Sequence, residues 1–524
     1  MWLPHDMKIN RLQRLSFRPT SESLEIRQVL STMPLTVELN AKASAMIAGM
    51  VTAHNVVIDG QTVPGAKVQM KVGSKTVTGH ADRNGEYQLA MPLKPGTYQV
   101  KVKALDTRGD VASTSMSATM GDAVLAWENT MINVIKSDVA NVGLASRTMA
   151  MVSGAIYDAV NDIERTGSVY KINVAAPAGA SASAAAAAAY TVLSALDPKM
   201  QPLLGVVMAQ SIAAVPSASA LQGGEKVGLA VAQGILAWRA NDGSAVDLPY
   251  TPGTAPGDWR PTPPTYQVAW GPDWGQVASF GVTRPISTFL PPPPPALDSP
   301  QYAAAYNQVK SIGALDSTTR TPYQTQTGIF WGYDATSTGT PVVHYQQIAE
   351  EVALQQHNTM TQNARMFGLI DVAMGDAGIA AWDTKYIYNR WRPITAIPLG
   401  NTDGNPKTVA DPSWQPLGAP GGPGQPAFTP PFPSYVSGHA TFGSALFTTL
   451  TDFYGTDHVH FSITSDEFPG VTRSYSSFSQ ASYENAISRV YLGIHFWFDE
   501  SAGITLGTAI ARNDYANLMT VNPA

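Results

Sequence analysis

The chain has no cysteine in its 524 residues. Disulfides, thiolate metal sites and cysteine nucleophiles are therefore excluded. Charge is scarce too, at 14% Asp, Glu, Lys and Arg against 44% hydrophobic residues, with Gly, Pro, Ala, Ser and Thr filling the difference. The formal net charge is -6. No excess of Lys and Arg is available to neutralise phosphates, which argues against a nucleic-acid partner. Long apolar runs are missing as well. The alanine run 184–189 falls far short of the ~20 residues a membrane helix needs, so no membrane span is expected. What remains is a length that suits two or three domains, one of them with a large core.

Two stretches near the start, Arg11–Phe17 and Leu24–Leu30, carry basic and apolar residues with no long apolar segment behind them. They resemble a leader of exported proteins and equally read as a short amphipathic helix or tail. Residues 1–44 are assigned to that leader or tail, and export is the expectation that goes with the first reading. Residues 45–120 read as β-structure. Val63–Val72, Glu86–Met91 and Thr97–Val102 alternate apolar and polar side chains between Pro-Gly and Asp82-Arg-Asn-Gly85 turns. Short strands at this spacing suggest a small antiparallel β-sandwich. The Val-Pro-Gly-Ala, Asp-x-Asn-Gly-x-Tyr and Pro-Gly-Thr-Tyr elements resemble transthyretin-like modules of the carboxypeptidase regulatory type. Asp82, Asn84 and Glu86 read as a turn rather than a calcium site, and no chemistry is expected there.

From residue 121 the periodicity becomes helical, over 123–135, 146–163, 180–196, 225–240, 301–314, 341–357 and 361–383. Residues 245–300 are rich in Pro and Gly, but Trp259, Trp270 and Trp274 favour an ordered wrap over a flexible linker. The fold class is thus mainly an all-α helical bundle, residues 121–524, preceded by the small β-sandwich module.

Three clusters in the C-terminal third carry the chemistry. Lys385 and Arg392, in the run to Pro393, are seven residues apart, so they are expected two turns apart on one helix face. Ser437-Gly438-His439 precedes a helical run. Ser437 sits where an N-cap is wanted, and the free amides behind it make an oxyanion cradle. Arg489 and His495 would lie on different faces of a continuous helix, but Gly493 between them can break it and let both converge. Asp499, four residues past His495, can hold its Nδ1–H and leave Nε2 free as ligand or nucleophile. His458 and His460 have the spacing of two strand ligands but no visible third. His344 and His357 fall on helical segments and read as ordinary hydrogen-bonded positions.

In sequence order, Lys-x6-Arg-Pro, Ser-Gly-His and Ser-Arg-x5-His-x3-Asp resemble the vanadium-dependent haloperoxidases, chloroperoxidase-like, of the superfamily shared with phosphatidate-phosphatase-type acid phosphatases. Phe330–Asp334, Gly339–Pro341, Asp376–Ile379, Pro431–Tyr435, His439–Gly443 and Glu484–Arg489 extend the likeness, which is close over 300–510 and loose over 121–300. The resemblance implies a vanadate cofactor, a site phosphate can also occupy, with His495 as the vanadium ligand. It implies that Lys385, Arg392 and Arg489 neutralise the oxygens, helped by Ser437 and the Gly438 amide. His439 would be the acid–base group, Asp334 the partner of Arg489, and Trp382 and Phe432 an apolar wall of the halide pocket. Hydrogen peroxide, halide (bromide, and chloride through that wall) and small organic acceptors would be its reactants. Val436 and Trp497 depart from the family's usual Pro and Arg. The same residues also suit a phosphohydrolase in which His495 forms a phosphohistidine.

Overall fold

The computed structural model describes residues 40–41, 46–47, 50–51 and 55–522, apart from 94–95, 139–140, 182–183, 214, 216 and 335–337. The leader or tail expected over 1–44 lies outside the described residues except at Asn40–Ala41. The chain divides into two compact units, one built mainly from 57–91 and 99–117 and the other containing 118–524.

The first unit is antiparallel β-structure. Its strands are β1 (Asn55–Gln61), β2 (Lys67–Val72), β3 (Lys75–His80), β4 (Glu86–Pro92), β5 (Gly96–Leu105) and β6 (Val111–Met120). β1 pairs β4 in one sheet, while a second runs β6-β5-β2-β3. Lys67 faces Leu105 and Val72 faces Val100 across β2 and β5. Alternation does the work here: Val68, Met70, Val100, Val102 and Ala104 are buried, and Lys67, Lys71, Lys101 and Lys103 point to solvent. The expected Pro64-Gly65 turn is present and the strand after it starts at Lys67, while the Ser/Thr-rich strand β6 had no clear pattern in sequence. Asp82 Oδ1 accepts from the amides of Asn84 and Glu86, so its turn is satisfied without a cation.

The second unit is helical. Its helices are α1 (Ala123–Asp138), α2 (Val142–Glu164), α3 (Ala184–Leu196), α4 (Gln201–Ala213), α5 (Ala218–Arg239), α6 (Pro300–Ile312), α7 (Pro322–Phe330), α8 (Pro341–Gln356), α9 (Met360–Tyr388), the short α10 (Pro393–Ala396), α11 (Gly438–Tyr454), α12 (Phe478–Tyr491) and α13 (Trp497–Asn517). A hairpin, β7 (Phe461–Thr464) with β8 (Thr472–Tyr475), precedes α12. No described helix is long and apolar enough to cross a membrane.

α9 is the axis, packed along α2, α11 and α13. A Thr359/Gln362 capping box starts it, and Asn389 ends it in the left-handed region at φ 47. α11 and α13 approach closely because Gly507 has no side chain: a Cβ there would lie 2.1 Å from the Thr441 carbonyl. The 245–300 segment is indeed an ordered wrap. Trp259 is fully buried, its amide bonded to the Asn389 carbonyl, and the Trp391 amide is bonded to Gly257.

Candidate active site

Lys385 is the last basic residue of α9, buried among apolar neighbours. The expectation that Lys385 and Arg392 share a helix face is wrong. α9 stops at Tyr388, and Arg392 stands beyond its cap as the N-cap residue of α10. Asn389 takes the left-handed turn that terminates the helix, and Pro393 cannot continue it. The tertiary fold nonetheless returns Arg392 to the same region. Its Nε donates to the Phe432 carbonyl at 2.9 Å, and Nη1 to the Ile494 carbonyl and to His495 Nε2 at 2.9 and 2.8 Å. Nη2 is buried with no hydrogen-bond partner.

α12 ends at Tyr491, and Gly493, at φ 74, makes the turn that brings His495 back towards Arg489. A Cβ on Gly493 would sit 2.3 Å from the Gly313 carbonyl, so both the conformation and the close approach require glycine. His495 Nδ1 lies 3.0 Å from Asp499 Oδ2. Arg392 can only donate, so Nε2 accepts and Nδ1 carries the proton, which goes to Asp499. Asp499 Oδ2 also accepts from the Phe496 amide and, at 2.5 Å, from the Ser434 hydroxyl. Burial, then the charges of Arg392, Lys385 and Arg489, hold His495 well below the usual histidine range. The imidazole is therefore neutral, with its Nε2 lone pair directed at a guanidinium.

Ser437 caps α11, accepting from the Ala440 amide, so the Gly438 and His439 amides stand in the first turn, with no helical carbonyl in reach. Tyr345 and Asn485 pin this turn by donating to the His439 carbonyl at 3.0 and 2.9 Å. His439 Nε2 is 2.9 Å from the Gly332 carbonyl and 4.0 Å from Asp334 Oδ2. That carbonyl accepts only, which places the proton on Nε2. Burial and then the Arg489 charge push His439 well below the usual range. Arg489 pairs with Asp334 at 2.6 Å, while its Nε is buried without a partner. Burial raises the Asp334 pKa, against the opposing pull of Arg489.

Lys385 donates to the carbonyls of Pro433, Ser434 and Val436 at 2.9, 3.2 and 2.5 Å. In this structure it ties down the loop that leads into Ser437. Burial and then the neighbouring Arg392 charge lower its pKa well below the lysine range. Trp382 and Phe432 lie side by side, ring centroids 5.0 Å apart, with the Lys385 ammonium 5.0 Å from the Phe432 ring. Both line a cavity of about 920 Å³ together with Gly438, His439, Arg489, His495 and Asp334. The residues of the three sequence clusters, with Asp334, Trp382 and Phe432, thus meet in one region. The other histidines do not join it. His344 stacks on Tyr333 at 4.2 Å and is lowered to about 4 by burial, His357 caps α8 at φ 58, and His458 and His460 are exposed. No cluster of three or more metal-ligating side chains occurs among the described residues.

Sequence reasoning missed Ser434, the carbonyl partner Gly332, the Tyr345/Asn485 clamp and Glu500. Glu500 is fully buried in the first turn of α13, its Oε1 4.0 Å from His495 Nδ1. Its position next to Asp499 was the available signal; a carbonyl acceptor leaves none.

The VCPO second helical-bundle domain family matches residues 365–522, which contain every motif residue except Asp334. The vanadium chloroperoxidase of Curvularia inaequalis is 34% identical over 268 residues, 41% of this chain and 43% of that protein. The match thus spans less than half the length of that relative. The first bacterial vanadium-dependent iodoperoxidase structure superposes with a TM-score of 0.63 at 25% identity, covering 76% of this chain and 97% of that one. In sequence over 365–522 and in fold, the chain is similar to vanadium haloperoxidases. A holo bacterial vanadium-dependent chloroperoxidase shares the fold, with a TM-score of 0.57 at 17% identity over 72% of this chain. This likeness to vanadium-dependent proteins implies a vanadate cofactor. The donor set fits an oxyanion: Arg392 Nη2 and Arg489 Nε are buried donors without acceptors, beside a neutral His495 Nε2.

Proposed function

We propose that this protein is a vanadate-dependent peroxidase that oxidises halide with hydrogen peroxide to hypohalous acid, accepting bromide and also chloride. The observation that carries the reading is the set of buried guanidinium hydrogens left without acceptors around His495. A guanidinium does not shed its proton to escape the cost of burial, and an anion is the acceptor that would offset its charge as well as satisfy its N–H groups. His495 would hold vanadium through Nε2, with Asp499 fixing the tautomer. Arg392 and Arg489 would turn their free N–H groups to the oxygens, as would the Gly438 amide and the Ser437 hydroxyl, with Lys385 adding its charge. Bound vanadate would supply a Lewis acid that polarises peroxide for halide attack. His439, held neutral, is placed on the cavity wall to take a proton from incoming peroxide and return it to the departing oxygen. Asp334 holds Arg489 in place for this, and Trp382 with Phe432 keeps water from the halide.

In the same reading, residues 121–524 form the catalytic body, 45–120 a β-sandwich accessory module and 1–44 a leader or tail, the leader giving an exported enzyme. The neutral, Asp499-held His495 also suits attack on phosphorus, so a phosphohydrolase on the same residues is the second reading. One experiment separates them. The metal-free protein is assayed with a phosphate ester, then supplied with vanadate, peroxide and bromide. Bromination that needs vanadate and is suppressed by phosphate is the expected result. Phosphatase activity alone would select the second reading, and indifference to both ions would remove both.

A further inference from the structure

Four adjacent strands of the β unit, β3, β2, β5 and β6, contain five lysines, one histidine and no acidic residue. The chain as a whole has the opposite balance, with a formal net charge of -6. Strand register gathers four of the lysines on one surface. Thr76, Lys71 and Lys101 form one row across β3, β2 and β5. Thr78, Gln69 and Lys103 form the next, and His80, Lys67 and Leu105 the third. All but the half-buried Gln69 are exposed, because the alternate residues Val68, Met70, Val100 and Val102 fill the core. β6 continues the surface. The Thr97 and Thr119 hydroxyls meet at 3.2 Å across β5 and β6, so Ser113 and Ser115 share the lysines' side of the sheet.

The described residues leave this surface unneutralised. Lys71 faces Lys101 directly, with Cβ atoms roughly 5 Å apart, an arrangement that costs stability when the charges match. Among the described residues, none of Lys67, Lys71, Lys101 and Lys103 has an ion-pair partner. Arg108, in the turn after β5, is by contrast paired with Asp106 and Asp110 at 2.8 and 3.2 Å.

The pattern also selects its counter-ion. The lysines are spread over an extended, flat face, which suits a polymer better than a single small anion. No arginine and no aromatic ring stands in the three rows. Arginine forks suit phosphates and aromatic rings stack nucleic-acid bases, so a nucleic acid is poorly served. Leu105 and Val111 are the large apolar residues these strands expose, too few to insert among lipid chains. Lysine ammonium groups are point charges that pair with carboxylates in many orientations, and the flanking Thr and Ser hydroxyls can exchange hydrogen bonds with other hydroxyls.

We propose that this face binds a carboxylated polysaccharide, its acid groups against Lys67, Lys71, Lys101 and Lys103 and its hydroxyls against the flanking Thr and Ser side chains. The β unit then tethers the chain to an acidic polymer. This role does not depend on the halide chemistry of the helical unit.

The test is binding of the full chain to immobilised polygalacturonate at low ionic strength, with phosphatidylglycerol vesicles and duplex DNA as parallel probes. Saturable binding to polygalacturonate, tighter than to either other probe, is expected. It should weaken as salt rises, because exposed charges are screened. Lys101→Gln should weaken it roughly fivefold, the scale of one lysine at an anionic surface, and adding Lys71→Gln should bring the loss above about tenfold. Lys226→Gln, at an exposed position on α5, makes the same change in net charge and should leave binding unchanged. Removing Lys101 relieves the repulsion across β2 and β5, so the thermal midpoint is expected to hold, which separates lost binding from lost folding. No saturable binding, an equal loss in Lys226→Gln, or unchanged affinity in the Lys101 and Lys71 variants would overturn the proposal. Tighter binding to the vesicles or to the DNA would overturn it as well, and assign the face to that partner.

Discussion

Two buried polar clusters share the helical body, and they solve burial in opposite ways. Between α1, α2, α8 and α9, Glu128, Glu350 and Asp371 gather with Ser153 and Gln346 and no cation among their hydrogen-bond partners. Around His495 the cluster is rich in guanidinium. The Ser153 hydroxyl faces Glu128 Oε2 at 3.0 Å and Asp371 Oδ2 at 2.5 Å. One hydroxyl hydrogen cannot serve two carboxylates, so one acid of the pair must carry a proton. Burial first, and for Glu128 the Asp371 charge next, raises all three pKa values, to about 7 for Asp371 and about 8 for Glu350. An acid cluster can thus neutralise itself at ordinary pH. Arginines have no such exit, which is why burial makes one cluster inert and leaves the other needing an anion.

The largest effects should come from the cationic cluster. His495→Ala removes the atom proposed above to ligate vanadium, so vanadate retained through equilibrium dialysis should fall to background. His439→Ala should keep the vanadate but lose about 10²–10⁴-fold in turnover. Retention by the first variant, or full activity of the second at its own pH optimum, would reverse the assigned roles.

A middle-sized effect is expected from the acid cluster, read as stability. The Glu350 carboxyl keeps its proton in the folded chain up to about pH 8, whereas the unfolded chain releases it near 4.5. Between those values the folded state binds more protons, so stability falls as pH rises, by about 1.4 kcal/mol per pH unit for one such group. Glu350→Gln should flatten that slope in urea titrations run from pH 5 to 8. An unchanged slope would mean that the acids are not self-neutralised.

The smallest effect concerns the apolar wall. Phe432→His puts a polar ring against Trp382 and Arg392 and should lower chloride turnover relative to bromide by a few-fold, since water follows the imidazole and raises the local dielectric. Equal chloride-to-bromide ratios in variant and wild type would show that the wall does not set the preference.

Much of the cationic cluster was legible because its signals are local. A capping serine, a glycine break and a His–Asp pair four residues apart are read without knowing the fold. The Lys385–Arg392 pairing misled for the same reason: seven residues suggest one helix face, and only the left-handed turn at Asn389 shows otherwise. The acid cluster was invisible. Each acid sits on its own helix and reads as a solvated position until α1, α2, α8 and α9 are packed together.

By itself, then, the sequence determined which side chains could hold an oxyanion and which local turns present them, since capping, glycine conformation and i,i+4 spacing depend on neighbours along the chain. Only the tertiary structure decided that Arg392 meets His495, that Ser434 steadies Asp499, that Gly332 orients His439 and that Trp270 walls the cavity. Those contacts join residues 65 to more than 100 positions apart, or backbone carbonyls that every residue possesses. No periodicity encodes them, so they exist only once packing has selected one arrangement.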